Sequence, residues 1–256
     1  MSRTIVMTTP APPRTVHVEH CMGTVFSIDI RDPGPWAEAI AAVTAWLHRV
    51  DAVFSTYRAD SDISRLQRQE MTIQDADPLV PEVLDLCQRM AAETDGFFSA
   101  YWDGQLDPTG LVKGWAIERA SRLLSEHGSH HHAVNGGGDV QTVGEPSPGK
   151  SWRIGIADPL HRDHILSVVT GRGIAVATSG VAERGKHIVD PHTRRPADEL
   201  ASVTVVGEFL TSVDCYATAA FAMGAGALPW LEALPGHEAL VVSSSGTSRS
   251  TSGLRL

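Results

Sequence analysis

The first recognisable elements of the chain are strands, because apolar and polar residues alternate there with a period of two. From Thr15 to Ile30 this alternation predicts a hairpin or paired strands, interrupted at residues 22–24. Further along, apolar residues recur every three to four positions, which is the spacing of an amphipathic helix. The predicted helices run from Trp36 to Val53, from Pro78 to Thr94 and from Lys113 to Glu126.

The second half of the chain predicts short strands separated by turns. These strands cover residues 133–134, 152–157, 165–169, 173–178, 202–206 and 240–243. A buried helix around Asp214, a short helix over 229–234 and a turn-rich hairpin or loose tail over 243–252 complete the pattern. Helices grouped among largely antiparallel strands predict an α+β fold, with a mixed sheet and flanking helices. We expect a disordered, Pro- and Thr-rich leader over 1–14 and one domain over 15–256.

Composition narrows the range of partners. The chain has 30 acidic and 21 basic residues and a formal charge of -9, which argues against nucleic acid or an anionic membrane as the main partner. Its three cysteines are widely separated, which indicates neither a disulfide framework nor a zinc site. We find no signal peptide and no apolar run near the roughly 18 residues of a membrane helix. We therefore expect a cytoplasmic protein without stable membrane insertion.

A carboxylate and a hydroxyl lie one helical turn apart at Asp214 and Thr218. Two hard oxygen ligands on one helical face suit Mg²⁺, which leaves its other positions to water and phosphate oxygens. The pattern also fits a helix cap or dipole partner at the Asp, with a Thr that bonds back to a carbonyl. If the metal interpretation holds, the chain handles a diphosphate.

Three other segments carry groups suited to an anionic ligand. Residues 107–115 place a carboxylate, a flexible backbone and Lys113 before a helix, which fits an anion site or a surface turn. Three glycines within residues 135–139 allow close backbone approach to a ligand or a tight hairpin. His187 lies at a strand entry, where a histidine can accept a proton near neutrality. The histidine run at 130–132 is interpreted as solvated.

Seven short motifs, in this order, give the chain a resemblance to the ApbE family from about residue 17 to about residue 243. The motifs are residues 21–24 (CMGT), 54–57 (FSTY) with 61–66 (SDISRL), 107–114 (DPTGLVKG), 135–139 (NGGGD), 178–180 (TSG), 187–191 (HIVDP) and 214–218 (DCYAT). Members of this family are FAD:protein FMN transferases. The resemblance implies that FAD and Mg²⁺ bind, that FMN is joined through phosphate to a Thr or Ser hydroxyl of an acceptor protein, and that AMP leaves.

The resemblance also implies roles for individual residues. The Mg²⁺ ligands would be Asp214, Thr218 and the Gly110 carbonyl, and His187 would be a general base or a backbone contact. The residues implied to contact FAD are Met22, Thr24, Tyr57, Phe97, Phe98, Ser99, Asp107, Lys113, Glu118, Thr178, His187 and Ile188. Lys113 is expected to approach phosphate or a neighbouring carboxylate.

Some positions depart from the family pattern. Residues 96–99 read Gly-Phe-Phe-Ser where Gly-x-Phe-Asp is usual, which removes a carboxylate, and the stretch from there to Lys113 is short. Two other activities would use the same site. A FAD diphosphatase would let water attack and release FMN and AMP, and a non-catalytic protein would bind FAD without turnover.

Overall fold

An eight-stranded antiparallel sheet organises the computed structural model, which describes residues 14–102, 104–161, 163–181 and 188–255. Its strands, in spatial order, are β1 (Thr15–Cys21), β2 (Thr24–Ile30), β5 (His132–Gly136), β6 (Asp139–Val143), β9 (Ala175–Gly180), β12 (Leu200–Gly207), β13 (Glu238–Ser243) and β14 (Ser248–Ser250). Three two-stranded ladders accompany it, which are β3 (Tyr101–Trp102) with β4 (Gln105–Leu106), β7 (Trp152–Ala157) with β8 (Ile165–Gly171) and β10 (Val189–Asp190) with β11 (Arg195–Pro196). Every described ladder is antiparallel.

Helices cover one face of the large sheet. In the described part of the chain they are α1 (Ala37–Phe54), α2 (Asp62–Gln67), α3 (Leu79–Glu93), α4 (Thr109–Glu126), α5 (Leu210–Met223) and α6 (Ala227–Glu232). Helix α5 is buried on most sides, which agrees with its run of small and apolar residues. Among the residues with described positions, no helix has the length and apolar character needed to cross a bilayer.

The core lies between the sheet and the helices α1, α4 and α5. Alternate residues of β2, namely Phe26, Ile28 and Ile30, are at most 1% exposed and join this core. On the opposite face of the sheet, Ile156 and Val169 of the β7–β8 hairpin pack against Leu240 in a separate cluster. The molecule is therefore layered as helices, sheet and hairpin, which is an α+β arrangement.

Most predicted elements are confirmed with small changes of boundary. The hairpin from Thr15 to Ile30 is formed by β1 and β2, and the serine-rich stretch at 243–252 forms a hairpin through β14. Helix α4 begins at Thr109, four residues before the predicted start, where Asp107 Oδ1 accepts from the Thr109 N–H at 3.0 Å. Of the predicted leader, residues 1–13 lie outside the described residues, whereas Arg14 pairs with Asp29.

The prediction that residues 130–132 are solvated is wrong for His132. Its side chain is 0% exposed because it occupies an inward position of β5. Its ring nitrogens lie 2.8 Å from Ser121 Oγ and 2.9 Å from Ser129 Oγ, and Ser129 Oγ donates to Asp32 Oδ2. Burial disfavours the charged imidazolium and lowers the pKa of His132 from 6.5 to about 4.

This buried histidine predicts a loss of stability in mild acid. Because the pKa of His132 is lower in the folded state, the unfolded chain binds the extra proton as pH falls from 6.5 toward about 4. The contribution of His132 to stability should therefore be fully retained above pH 6.5. The free energy of unfolding should fall by about 3 kcal/mol as the pH is lowered from 6.5 to about 4. Urea unfolding of wild type and His132→Gln at several pH values measures the difference. Equal pH slopes in the two proteins would contradict the assignment to His132.

Candidate functional site

Helices α4 and α5 approach each other closely at Gly114. The Gly114 N–H donates to Asp214 Oδ2 at 3.1 Å. A Cβ added at Gly114 would lie 2.8 Å from both Asp214 Cβ and the Leu210 carbonyl oxygen, which is closer than real Cβ contacts. Glycine is therefore required at this crossing, and it brings the Asp214 carboxylate against the backbone of α4.

This contact lies one helical turn after Gly110 in α4. In a regular α-helix the carbonyl of residue 110 points toward the N–H of residue 114, so helix geometry directs the Gly110 carbonyl toward this contact. Asp214 is 4% exposed, and Thr218 lies one turn further along α5 and is half-buried. A carboxylate, a carbonyl and a hydroxyl are thus brought to one region, and all three are hard oxygen donors of the kind that Mg²⁺ prefers.

Strand β9 adds a second hydroxyl to this region. Ser179 Oγ lies 3.1 Å from Thr218 Oγ1, within hydrogen-bond distance. Ser179 shares the helix-facing side of β9 with the buried Ala175 and Ala177, whereas Thr178 Oγ1 bonds Thr204 Oγ1. Ser179 therefore fixes the hydroxyl of Thr218 from the sheet side. Within the motif at 178–180 the resemblance implies a role for Thr178, and the structure adds Ser179.

An ion pair with a buried carboxylate lies beside these oxygens. Lys113 Nζ of α4 pairs with Asp139 Oδ2 at the start of β6, and the Asp139 carboxylate is 1% exposed. The other carboxylate oxygen of Asp139 accepts from the Thr178 N–H at 3.0 Å. The glycine turn at 137–138 lets β6 begin directly after β5, so that Asp139 reaches this position. We expect Lys113 to approach phosphate or a neighbouring carboxylate, and the structure shows its contact with the carboxylate of Asp139.

The N-terminus of α5 is held by side chains from other elements. Gln141 Oε1 accepts from the Leu210 N–H at 3.0 Å, and Glu118 Oε2 accepts from the Thr211 N–H at 2.9 Å. The remaining Glu118 oxygen pairs with Arg122. These contacts satisfy donors that a helix start leaves without intrahelical partners. They fix the helix that carries Asp214, so Glu118 contacts the chain's own donors; its contact with FAD stays a prediction.

The other residues implied to contact FAD are more scattered. Met22 and Thr24 border an open cleft of about 440 Å³ between the β1–β2 turn and Asp51. A Cβ at Gly137 would lie 2.9 Å from Thr24 Oγ1, so this cleft adjoins the glycine turn. Tyr57 is 95% exposed and free to contact a ligand.

The 97–99 segment divides between core and surface. Phe98 is 2% exposed and lies 3.4 Å from the Cβ position of Gly110, so it supports the start of α4. Phe97 contacts the His192 ring edge-on, with centroids 4.5 Å apart. Ser99 bonds the backbone of Tyr101. A backbone bond to Ala197 holds the carbonyl of Ile188, and His187 lies outside the described residues.

Fold and site together define an α+β protein with an oxygen-lined helix crossing beside a partly exposed lysine that pairs with a buried carboxylate. The sequence matches the ApbE family over residues 22–102 and 102–241. The chain belongs to the ApbE family.

Individual relatives support the assignment to this family. The chain is 32% identical over 145 residues to an FAD:protein FMN transferase of Rhodobacter capsulatus, a match that covers 54% of this chain and 28% of that protein. It is 28% identical over 132 residues to the Escherichia coli K12 protein of the same name, covering 48% and 38%. The matched stretches thus span less than half the length of these relatives. The crystal structure of the ApbE protein of Thermotoga maritima shares the fold, with a TM-score of 0.83, 21% identity and 94% and 97% coverage.

Proposed function

We propose that this chain transfers FMN from FAD to a Ser or Thr hydroxyl of an acceptor protein, with release of AMP, and that Mg²⁺ is required. The observations that support the proposal are the contact of Asp214 with the Gly114 N–H and the contact of Thr218 with Ser179, beside the Lys113–Asp139 ion pair. The relatives named FAD:protein FMN transferase support the choice of substrate. The single domain at 15–256 and a cytoplasmic setting belong to the same proposal, and the three cysteines are free and buried.

The donor set fits a magnesium ion. Asp214, Thr218 and the Gly110 carbonyl would hold it, since they supply one carboxylate and two neutral oxygens and leave room for phosphate oxygens. When bound, Mg²⁺ neutralises diphosphate charge and polarises the phosphorus under attack. Ser179 and the Gly114 N–H orient two of the three ligands. The residues of the chain would therefore serve mainly to position the diphosphate and to stabilise its charge.

Lys113 is suited to the diphosphate in a second way. Its side chain is about a quarter exposed, while its partner Asp139 is buried, so the lysine can face a ligand without leaving Asp139. Asp139 itself is held by the Thr178 N–H, which fixes the ammonium relative to β9. A lysine in this position supplies positive charge for an anionic ligand. His187 stays a prediction as the base for the incoming hydroxyl.

The decisive experiment incubates the purified chain with FAD, Mg²⁺ and a protein that one of the curated relatives flavinylates. We expect flavin fluorescence that stays with the acceptor on a denaturing gel, together with an equal amount of AMP. Rapid AMP release without acceptor and without covalent flavin would replace the proposal with a diphosphatase. Tight FAD retention with no AMP under any condition would replace it with a binding protein.

The Ser179 contact gives a prediction of its own. Ser179→Ala should raise the Mg²⁺ concentration for half-maximal FMN transfer by roughly tenfold, because the Thr218 hydroxyl loses the group that orients it. The rate at saturating Mg²⁺ should change little. Titration of transfer rate with Mg²⁺ measures both quantities.

A matched control is available on the neighbouring strand. Ser202 is 3% exposed, and its hydroxyl has no hydrogen-bond partner among the described residues. Ser202→Ala should therefore leave the Mg²⁺ titration unchanged. If Ser179→Ala and Ser202→Ala gave the same curve as wild type, Ser179 would have no role in holding the metal ligand.

A further inference from the structure

The loop between β7 and β8 carries a second group of potential metal ligands. Asp158, His161 and His164 each offer one ligand atom, and these atoms lie within 4.8 Å of one another. The hairpin packs against the opposite face of the sheet from α4 and α5, through Ile156 and Val169. The group is therefore separate from the oxygens around Asp214.

The spacing of the group suits a small divalent ion. Asp158 Oδ2 lies 3.0 Å from His161 Nδ1, and the rings of His161 and His164 are nearly parallel, with centroids 5.7 Å apart. An ion with tetrahedral ligands at 2.0–2.1 Å holds neighbouring ligand atoms about 3.4 Å apart. The Asp158–His161 separation of 3.0 Å is close to that value and all the ligand atoms lie within 4.8 Å of one another, so side-chain rotations would close the site.

Hydrogen bonds to backbone groups hold the β7–β8 loop in a conformation suited to binding an ion. Asp158 Oδ1 accepts from the Leu160 N–H at 2.9 Å and from the His161 N–H at 3.3 Å. The Asp158 N–H donates to the His164 carbonyl at 2.9 Å, which closes the loop at its base. The Asp158 carboxylate is thus held in position before any ion arrives.

We propose that Asp158, His161 and His164 bind one divalent transition-metal ion, with Zn²⁺ as the preferred metal. Two imidazole nitrogens and one carboxylate are a common zinc ligand set, and the exposure of both histidines leaves the fourth position to water. Imidazole is a poor ligand for Mg²⁺, which prefers oxygen. The bound ion clamps the turn of the β7–β8 hairpin. This site does not depend on the proposed transferase activity.

Isothermal titration of Zn²⁺ into the untagged full chain, in excess Mg²⁺, tests the proposal. Excess Mg²⁺ competes for the oxygen ligands at Asp214, so the remaining Zn²⁺ binding reports on nitrogen-containing sites. We expect one Zn²⁺ per chain and a higher melting temperature with Zn²⁺ present. His161→Ala and His164→Gln should each weaken this binding by at least about tenfold and abolish the rise in melting temperature.

His130→Ala is the matched control, because His130 is exposed on another loop of the same chain. It should leave Zn²⁺ stoichiometry and affinity unchanged. Either of two results would overturn the proposal. The first is no Zn²⁺ binding by wild type, and the second is undiminished binding by the His161→Ala, His164→Gln double variant. A loss of Zn²⁺ binding in the His130→Ala protein alone would also overturn it, because it would show that the ion binds at residues 130–132.

Discussion

Replacing Asp214 with asparagine will reduce the proposed FMN transfer by about a thousandfold while the protein remains folded. Asp214 is the charged member of the three candidate Mg²⁺ ligands, so the amide removes most of the attraction for the ion. The asparagine side-chain oxygen can still accept the Gly114 N–H, which preserves the crossing of α4 and α5. Release of AMP and formation of covalent flavin measure activity, and circular dichroism with thermal unfolding measures folding.

Glu93→Gln is the matched control for this change. Glu93 Oε2 accepts from the Tyr216 hydroxyl at 2.7 Å, so it is a second carboxylate in contact with α5 but outside the ligand set. Its conversion to an amide should leave transfer within about threefold of wild type. If Asp214→Asn kept wild-type transfer with the same Mg²⁺ dependence, the metal assignment would be lost. Equal losses in both variants would instead indicate a general effect of removing charge near α5.

Gly114→Ala is expected to have the second largest effect, on stability and activity together. The added methyl group would meet Asp214 Cβ and the Leu210 carbonyl oxygen at 2.8 Å, so the helices must separate. We expect a loss of about 2 kcal/mol in the free energy of unfolding. The proposed FMN transfer should fall at least about tenfold, because Asp214 would lose the Gly114 N–H contact that holds it against α4. Urea unfolding and steady-state transfer rates measure the two losses.

Gly226→Ala shows what the same substitution does without a clash. Gly226 has a negative φ of -74° and nothing within 4 Å of its Cβ position, and it immediately precedes α6. Its replacement should leave stability within about 1 kcal/mol of wild type. Alanine is favoured over glycine inside a helix by about 1 kcal/mol, so an unstrained Gly114→Ala would be stabilised. A more stable Gly114→Ala protein would therefore refute the close crossing.

The long periodic elements could be predicted from the sequence because their periodicity is local. The helix at 79–93 and the hairpin at 15–30 each show their buried face in a single stretch of chain. Helix α2 has only six residues and β6 follows three glycines, so neither gives a long periodic pattern. The burial of His132 was missed for a related reason, since a run of three histidines hides the inward position that it occupies in β5.

For the same reason, only part of the candidate site could be predicted from the sequence. The spacing of Asp214 and Thr218 predicts a shared helical face, and the structure places both on α5. The partners of these residues come from distant segments, with Gly114 one hundred positions from Asp214 and Ser179 thirty-nine positions from Thr218. No local pattern encodes such pairs. The alternation of Ala175, Ala177 and Ser179 on β9 was the one signal that placed Ser179 on the helix side.

The capping of α5 has a practical meaning for protein engineering. Gln141 and Glu118 anchor the first turn of the helix that carries Asp214, although neither is one of the three candidate Mg²⁺ ligands. Libraries designed to change which nucleotide is accepted should therefore keep these two positions constant and diversify the exposed Tyr57 and Ser99 instead. Variants that loosen the anchor would lose activity for reasons unrelated to substrate choice, and such losses would obscure any true change in selectivity.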